Sequence, residues 1–273
     1  MNARKIVGIL ILVILILSLV VVCANAILSN EDHNNKAQFS QVLKDNELQS
    51  LSEEDENYDY DSSEGITEVN LNIKQKTGGV RILFAKDTNN VYNITSTKKD
   101  SKMSVTKSVN GSTLNVNVNA KDSETTIVLS TKYRYNITGA MTAGGLQGDL
   151  DNSRIDTLNF NIVMGGINLN LTNTTHLDKF NSNITMGGIN IIGNGQFGTN
   201  MNTNVDIGGI NIESSNPIVL AKVNVNLGGA QGSNNYQTST DGQHTEIKGN
   251  QYDSADNKLL INSNIEIGGL SVT

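Results

Sequence analysis

Diglycines recur along the C-terminal half of this chain, each set between alternating aliphatic residues. Their first glycines fall at 144, 165, 187, 208, 228 and 268, so the steps are 21, 22, 21, 20 and 40. A further pair, Gly78-Gly79, lies 66 residues before Gly144, three steps of 22. In NITMGGINIIGNG (183–195), Ile184 and Met186 alternate with polar neighbours before the glycines, and Ile189 and Ile191 after them. Alternation at period two marks a half-buried strand. The parity changes from even to odd across Gly187-Gly188, and in a regular strand that would turn one half outward. A bend or bulge at the glycines keeps both halves facing one core, and glycine permits it by reaching φ > 0. The same template fits Ile162, Met164, Gly165, Gly166, Ile167 and Leu169. It fits Val205, Ile207, Gly208, Gly209, Ile210 and Ile212, and also Ile265, Ile267, Gly268, Gly269, Leu270 and Val272. Val225-to-Ala230 around Gly228-Gly229, and Met141-to-Leu146 around Gly144-Gly145, are degraded copies.

A fixed step near 21 indicates stacked repeats, because a unit this short cannot bury its own apolar face. The expected fold is all-β: a right-handed β-solenoid of about 21-residue coils over 132–273, its glycines stacked along one corner, preceded by an irregular β region. An antiparallel sandwich with similar hairpins is the competing architecture. The absence of tryptophan and the 4% aromatic content call for a thin aliphatic core. Asparagine is very frequent, and a biased genome composition accounts for much of that. Asn168, Asn190 and Asn211 share one place after successive diglycines and are expected to stack as an exposed ladder.

The charge is unevenly spread. Residues 31–64 hold eleven acidic and two basic side chains, net −9, whereas 65–273 hold 16 of each. No basic stripe exists, which argues against nucleic acid as a partner. Arg4 and Lys5 precede an uncharged run from Ile6 to Val22. Seventeen helical residues span about 26 Å, and extension to Leu28 reaches the bilayer's ~30 Å. Residues 1–28 are therefore expected to be a transmembrane signal-anchor with the remainder outside the cell. Ala24-Asn25-Ala26 also fits signal-peptidase cleavage, which leaves anchor and cleaved signal both open. Cys23 is the lone cysteine, so no disulfide framework exists. Residues 29–64 are too polar and acidic to fold and are expected to be a solvated, disordered linker carrying Tyr58 and Tyr60.

Residues 65–131 read as strands. Val69, Leu71 and Ile73 alternate, as do Val80, Ile82 and Phe84, and Asn110-Gly111 marks a hairpin. The stretch VNLNIKQKTGGVRILFAKDTNNVYNIT, then GSTLNVNV and TTIVLSTKYRYNITGAMTAGGLQGDL, followed by the Gly-Gly-hydrophobic units, resembles the putative-adhesin domain family of bacterial and archaeal envelope proteins, including toast-rack-like domains. The resemblance spans 65–273. It implies a β-solenoid displayed at the cell envelope in an adhesive role, with no catalytic residues to carry over. The family often has Ser-Gly-Asp at the corner where this chain has Gly-Gly.

Catalytic, cofactor and metal sites are not expected. Asp206 and Glu266 share the position two before a diglycine; stacked in chain order they would stand about 10 or 14 Å apart, according to whether 230–258 is a loop or a coil. Asp149, Asp151 and Asp156 read as turn residues. His33, His176 and His244 share no metal-ligand spacing, and no glycine pair precedes a helix that would face a phosphate. The segment 230–257, with Tyr236, His244 and Tyr252, reads as a degenerate coil or cap, or else as a protruding contact loop. Asn93, Asn110, Asn136, Asn170, Asn173 and Asn183 are glycosylation acceptors by sequence. The function expected is that of a single-pass, extracellular-facing cell-membrane protein whose head binds a surface polysaccharide or another envelope protein. Envelope-stress sensing through a membrane partner, and polysaccharide cleavage, are the alternatives.

Overall fold

The computed structural model describes residues 56–60, 65–86, 88–96, 103–195 and 197–273. The signal-anchor over 1–28, Cys23, His33 and most of the linker lie outside them. Among the described residues no helix is long and apolar enough to cross a membrane, and every regular element is a strand.

The repeats form long strands in parallel register. β9 (Arg154–Thr172), β10 (His176–Asn194) and β11 (Thr199–Ser214) follow β8 (Arg134–Asp149) and lie side by side in that order. Glycine pairs with glycine throughout: Gly144 with Gly165, Gly165 with Gly187, Gly187 with Gly208. Each first glycine has φ between 139° and 147°, a region nearly closed to residues with a Cβ. The stacking adds a second demand. A Cβ on Gly187 would stand 1.6 Å from the Gly165 carbonyl oxygen, and one on Gly208 1.5 Å from that of Gly187. Both the bend and the closeness of the layers therefore require glycine.

Order in space departs from order in the chain at both ends. The last strand, β15 (Leu259–Val272), lies between β11 and β12 (Val219–Gly232), parallel to both, with Gly268 paired to Gly208 and to Gly228. The intervening β13 (Tyr236–Asp241) and β14 (His244–Gly249) form an antiparallel hairpin outside β12. The 40-residue step is thus one layer plus a hairpin excursion, which realises the cap reading of 230–257. At the other end β2 (Glu68–Thr77) and β3 (Val80–Ala85), either side of Gly78-Gly79, run along β8. Beyond them lie β6 (Thr113–Asp122) and β7 (Thr125–Ser130), also parallel. β4 (Tyr92–Ser96) and β5 (Ser104–Asn110) then pair antiparallel on β7 and β6. Residues 65–131 therefore contribute layers to the same sheet as 132–273, and Ser52–Thr273 is one compact unit.

One strand arises within the expected linker. β1 (Glu56–Tyr60) pairs antiparallel with β4. Tyr60 stacks on Tyr92, centroids 6.0 Å apart, and the Lys107 ammonium sits 4.0 Å over its ring. An aromatic contact and an edge that needs pairing hold a segment whose composition alone reads as solvated.

The core is one continuous cluster of aliphatic side chains with a few aromatics. Sizes compensate between layers: Phe160 fills the space over Gly139, where an added Cβ would meet its ring at 2.1 Å, and Phe197 does the same over Gly193. Deeper along the stack the inward row continues as Ser182, Thr203 and Ser263, with Thr203 and Ser263 hydrogen-bonded at 3.0 Å. The parity change falls one residue earlier than the sequence suggests. Met164 (48% exposed), Met186 (36%) and Leu227 (62%), expected in the core, point outward beside their neighbours Val163, Thr185 and Asn226. Two consecutive outward residues before the diglycines of β9, β10 and β12 mark the bend, whereas Ile207 and Ile267 at the same place are half-buried, and the following strand then faces in from Ile167, Ile189 and Ile210.

Candidate functional site

The outward surface of the strand limbs preceding the diglycines is the most regular polar feature among the described residues. Because the layers are in register with a two-residue side-chain period, residues of one outward position line up across the sheet. Four residues before the diglycines, Asn161, Asn183, Asn204, Asn264 and Asn224 stand on successive strands. Each amide bonds the next: Asn183 Nδ2 donates to Asn161 Oδ1 at 2.7 Å, Asn204 to Asn183 at 2.7 Å, Asn264 to Asn204 at 2.9 Å and Asn224 to Asn264 at 2.8 Å. His244 Nδ1 contacts the Asn224 oxygen at the end of the row. Two residues further back, Asn181 donates to Asn159 at 2.7 Å, Asn202 to Asn181 at 3.0 Å and Asn262 to Asn202 at 3.3 Å. A third row on β6, β2 and β8 links Asn115, Asn70 and Asn136, with Asn136 also donating to Glu68. The five-membered row spans four strand spacings, about 19 Å.

Each ladder bond uses one amide hydrogen and one oxygen lone pair. The second N–H and second lone pair stay directed at solvent, at fixed spacing, on side chains whose rotamers the ladder already holds. A ligand that matched this array would pay little further ordering entropy. The expected ladder of Asn168, Asn190 and Asn211 forms as well, at 3.2 and 3.0 Å, half-buried on the limb after the glycines. The ladders ahead of the glycines escaped sequence reading, although the shared spacing of Asn161, Asn183 and Asn204 before their diglycines was the signal for them.

In the outward row nearest the diglycines, charge is confined to the two ends. Two residues before the diglycines the row runs Lys121, Lys76, Thr142, Val163, Thr185, Asp206, Glu266, Asn226. Asp206 and Glu266 are therefore on adjacent strands, about 4.8 Å apart, rather than two or three layers apart, because β15 inserts beside β11. Glu266 accepts from Asn226 Nδ2 at 2.6 Å.

The other acidic candidates serve local structure. Asp149 accepts from Asn170 at 3.2 Å, and Asp156 pairs with Arg134 at 2.8 Å. Asp151 accepts from Thr172 at 2.7 Å and from Thr174. Burial pushes the Asp151 carboxyl up, but the Thr174 and Thr172 hydroxyls, helped by Lys86, outweigh it and hold the group below its ordinary value. His176 and His244 stand at the starts of β10 and β14, on separate parts of the sheet. Among the described residues no group of three or more His, Cys, Asp or Glu side chains is arranged to hold a metal. Tyr252 is held in the turn after β14, with the Lys258 ammonium 5.2 Å from its ring centroid.

The sequons divide by environment. Asn110 and Asn173 are exposed at turns, Asn93 is half-buried in β4, Asn136 and Asn170 are half-buried and hydrogen-bonded, and Asn183 is the second member of the long ladder.

No protein-family model matches this chain, and no curated protein matches it. Among solved structures, a protein described as a putative cell adhesion protein from Clostridium sporogenes is similar, with a TM-score of 0.52 and 15% identity over 80% of this chain and 97% of that one. At that identity the likeness shows a shared fold.

Proposed function

We propose that this chain is a cell-surface binding protein of adhesin type, whose head is a right-handed β-solenoid carried on a single-pass N-terminal anchor and an acidic spacer. The observation that carries the reading is the outward asparagine surface. It is long, its hydrogen-bonded amide rows are uncharged from β9 to β10, and it repeats at the strand spacing. Such a surface matches an extended, hydroxyl-rich polymer better than a small substrate, since it offers many equivalent donors and acceptors and no enclosed reaction chamber. The role is binding rather than catalysis, which fits the dispersal of the acidic and histidine side chains into structural contacts. The similarity to a protein described as an adhesion protein lends support at the level of fold.

In this reading the anchor fixes the chain in the cell membrane, the spacer lifts the head clear, and the face meets a surface polysaccharide of the envelope. Asn110 and Asn173 are the sequons best placed to carry glycans, because a glycan on Asn183 would sever the ladder. A glycan-array screen with the purified chain tests the proposal. Retention of extended polysaccharides is expected; binding confined to proteins, or to no polymer at all, would sink it.

A further inference from the structure

The asparagine surface is interrupted at one place. On β8 the residues that continue the outward rows are Ala140 and Thr142, both short, between Lys74 and Lys76 of β2 and Asn161 and Val163 of β9. The result is a shallow depression of about 630 Å3. One wall is cationic, the floor includes Ala140, and the far wall carries the Val163 side chain, 48% exposed, with the first two ladder amides, Asn161 and Asn183, beside it.

Lys74 and Lys76 are exposed and make no hydrogen bond or ion pair among the described residues, and Lys121 stands next to Lys76 on β6. The nearest carboxylate in this register is Asp122, which meets the Thr77 hydroxyl on the neighbouring strand. The acidic end of the face, Asp206 and Glu266, begins four strand spacings from β2, about 19 Å. That exceeds the ~8 Å screening length at physiological salt, so it leaves the lysines' field intact.

Resting on the polymer-binding reading above, we infer that this depression seats a carboxylate-bearing sugar unit of an acidic polysaccharide, with the rest of the polymer running along the asparagine ladders. The carboxylate lies against the Lys74 and Lys76 ammonium groups. The C–H face of the ring rests on Ala140 and Val163, and its hydroxyls exchange hydrogen bonds with the free N–H and lone pair of Asn161 and Asn183. Charge complementarity selects the ligand. Residues 65–273 carry 16 acidic and 16 basic side chains, so the head has no net charge of its own and a polyanion is drawn to the place where Lys74, Lys76 and Lys121 cluster on adjacent strands. It also sets a direction, because an acidic polymer anchored at β2 is disfavoured from continuing over Asp206 and Glu266.

The test is titration of the full-length chain with polygalacturonate, with its fully methyl-esterified neutral form, and with dextran sulfate as a polyanion lacking carboxylates. The inference predicts binding of polygalacturonate about tenfold tighter than of the ester at moderate salt. That advantage is lost in the Lys74→Gln/Lys76→Gln double variant and kept in Lys222→Gln, which removes an exposed lysine from the far end of the same face. Equal binding of acid and ester overturns the inference while leaving the polymer-binding reading standing. So does dextran sulfate binding as tightly as polygalacturonate and weakened equally by both variants. Failure of every polymer, charged and neutral, overturns both. Circular dichroism of the variants confirms that these exposed substitutions leave the sheet intact.

Discussion

Gly187 and Gly229 differ by one place in the repeat, yet the structure assigns them opposite tolerance. Gly187 has φ 145° and no room for a Cβ against the Gly165 carbonyl. Gly187→Ala should destabilise the fold by about 3 kcal/mol or more, since it combines backbone strain with a steric clash inside the ladder. Gly229 lies beside open space, and Gly229→Ala should stay within about 0.5 kcal/mol of the parent in chemical denaturation. Tyr135 supplies a second residue-scale test. Its buried hydroxyl donates to the Ser130 carbonyl at 2.7 Å, its ring meets Phe84 edge-on, and burial pushes its ionisation far up. Tyr135→Phe removes a buried hydrogen bond and should cost about 1 kcal/mol or more. Asp151 gives a pH dependence. A carboxyl held below its ordinary value stabilises the fold at pH above the ordinary carboxylate range, and that contribution fades as pH falls through the lowered value. The melting temperatures of the parent and Asp151→Asn should therefore differ at neutral pH and converge in acid. At this scale the diglycines were legible because nothing else satisfies both demands of the site. The outward turn of Met164, Met186 and Leu227 was not, because alternation reveals that parity changes but not at which peptide the bulge falls.

Strands, taken as elements, were visible one by one; their order was not. Periodicity in 259–272 predicts a layer like the others, and it is one, but nothing local to it says that it inserts between β11 and β12. That placement follows from the antiparallel hairpin β13–β14, which turns the chain back outside β12 and leaves the edge beside β11 for the final strand. The same blindness placed β1 in the linker, since its partner β4 and its stacking residue Tyr92 lie over thirty residues downstream. β15 is hydrogen-bonded on both sides and buries Leu259, Ile261, Ile265, Leu270 and Val272 to 2% exposure or less. Ile265→Ala should thus cost about 2–5 kcal/mol, as for a central core position rather than a fraying terminus. Amide hydrogen exchange should find β15 as protected as β10; rapid exchange in β15 alone would show that it is not inserted.

Across the whole molecule, register converts a local sequence habit into a surface. One asparagine at a repeated place is a turn-tolerant polar residue; five on adjacent strands are an array of amides with a common orientation, of the kind that stabilises stacked in-register strands elsewhere. Sequence showed the abundance of asparagine and one of the ladders. The wider face needed the strand order, because Asn264 and Asn224 join the row of Asn161, Asn183 and Asn204 only when β15 lies inside β12. Caps of antiparallel strands at each end, β5, β4 and β1 on one side and β14 and β13 on the other, limit the growth of the parallel stack. The central claim is that this asparagine face is where the protein binds. The most direct measurement is the affinity of an extended polysaccharide, chosen from the array screen, for the parent and for Asn183→Ala/Asn204→Ala, taken well below the melting temperature of both. The account predicts affinity lower by about tenfold or more with the fold retained. Unchanged affinity in a folded variant would contradict it.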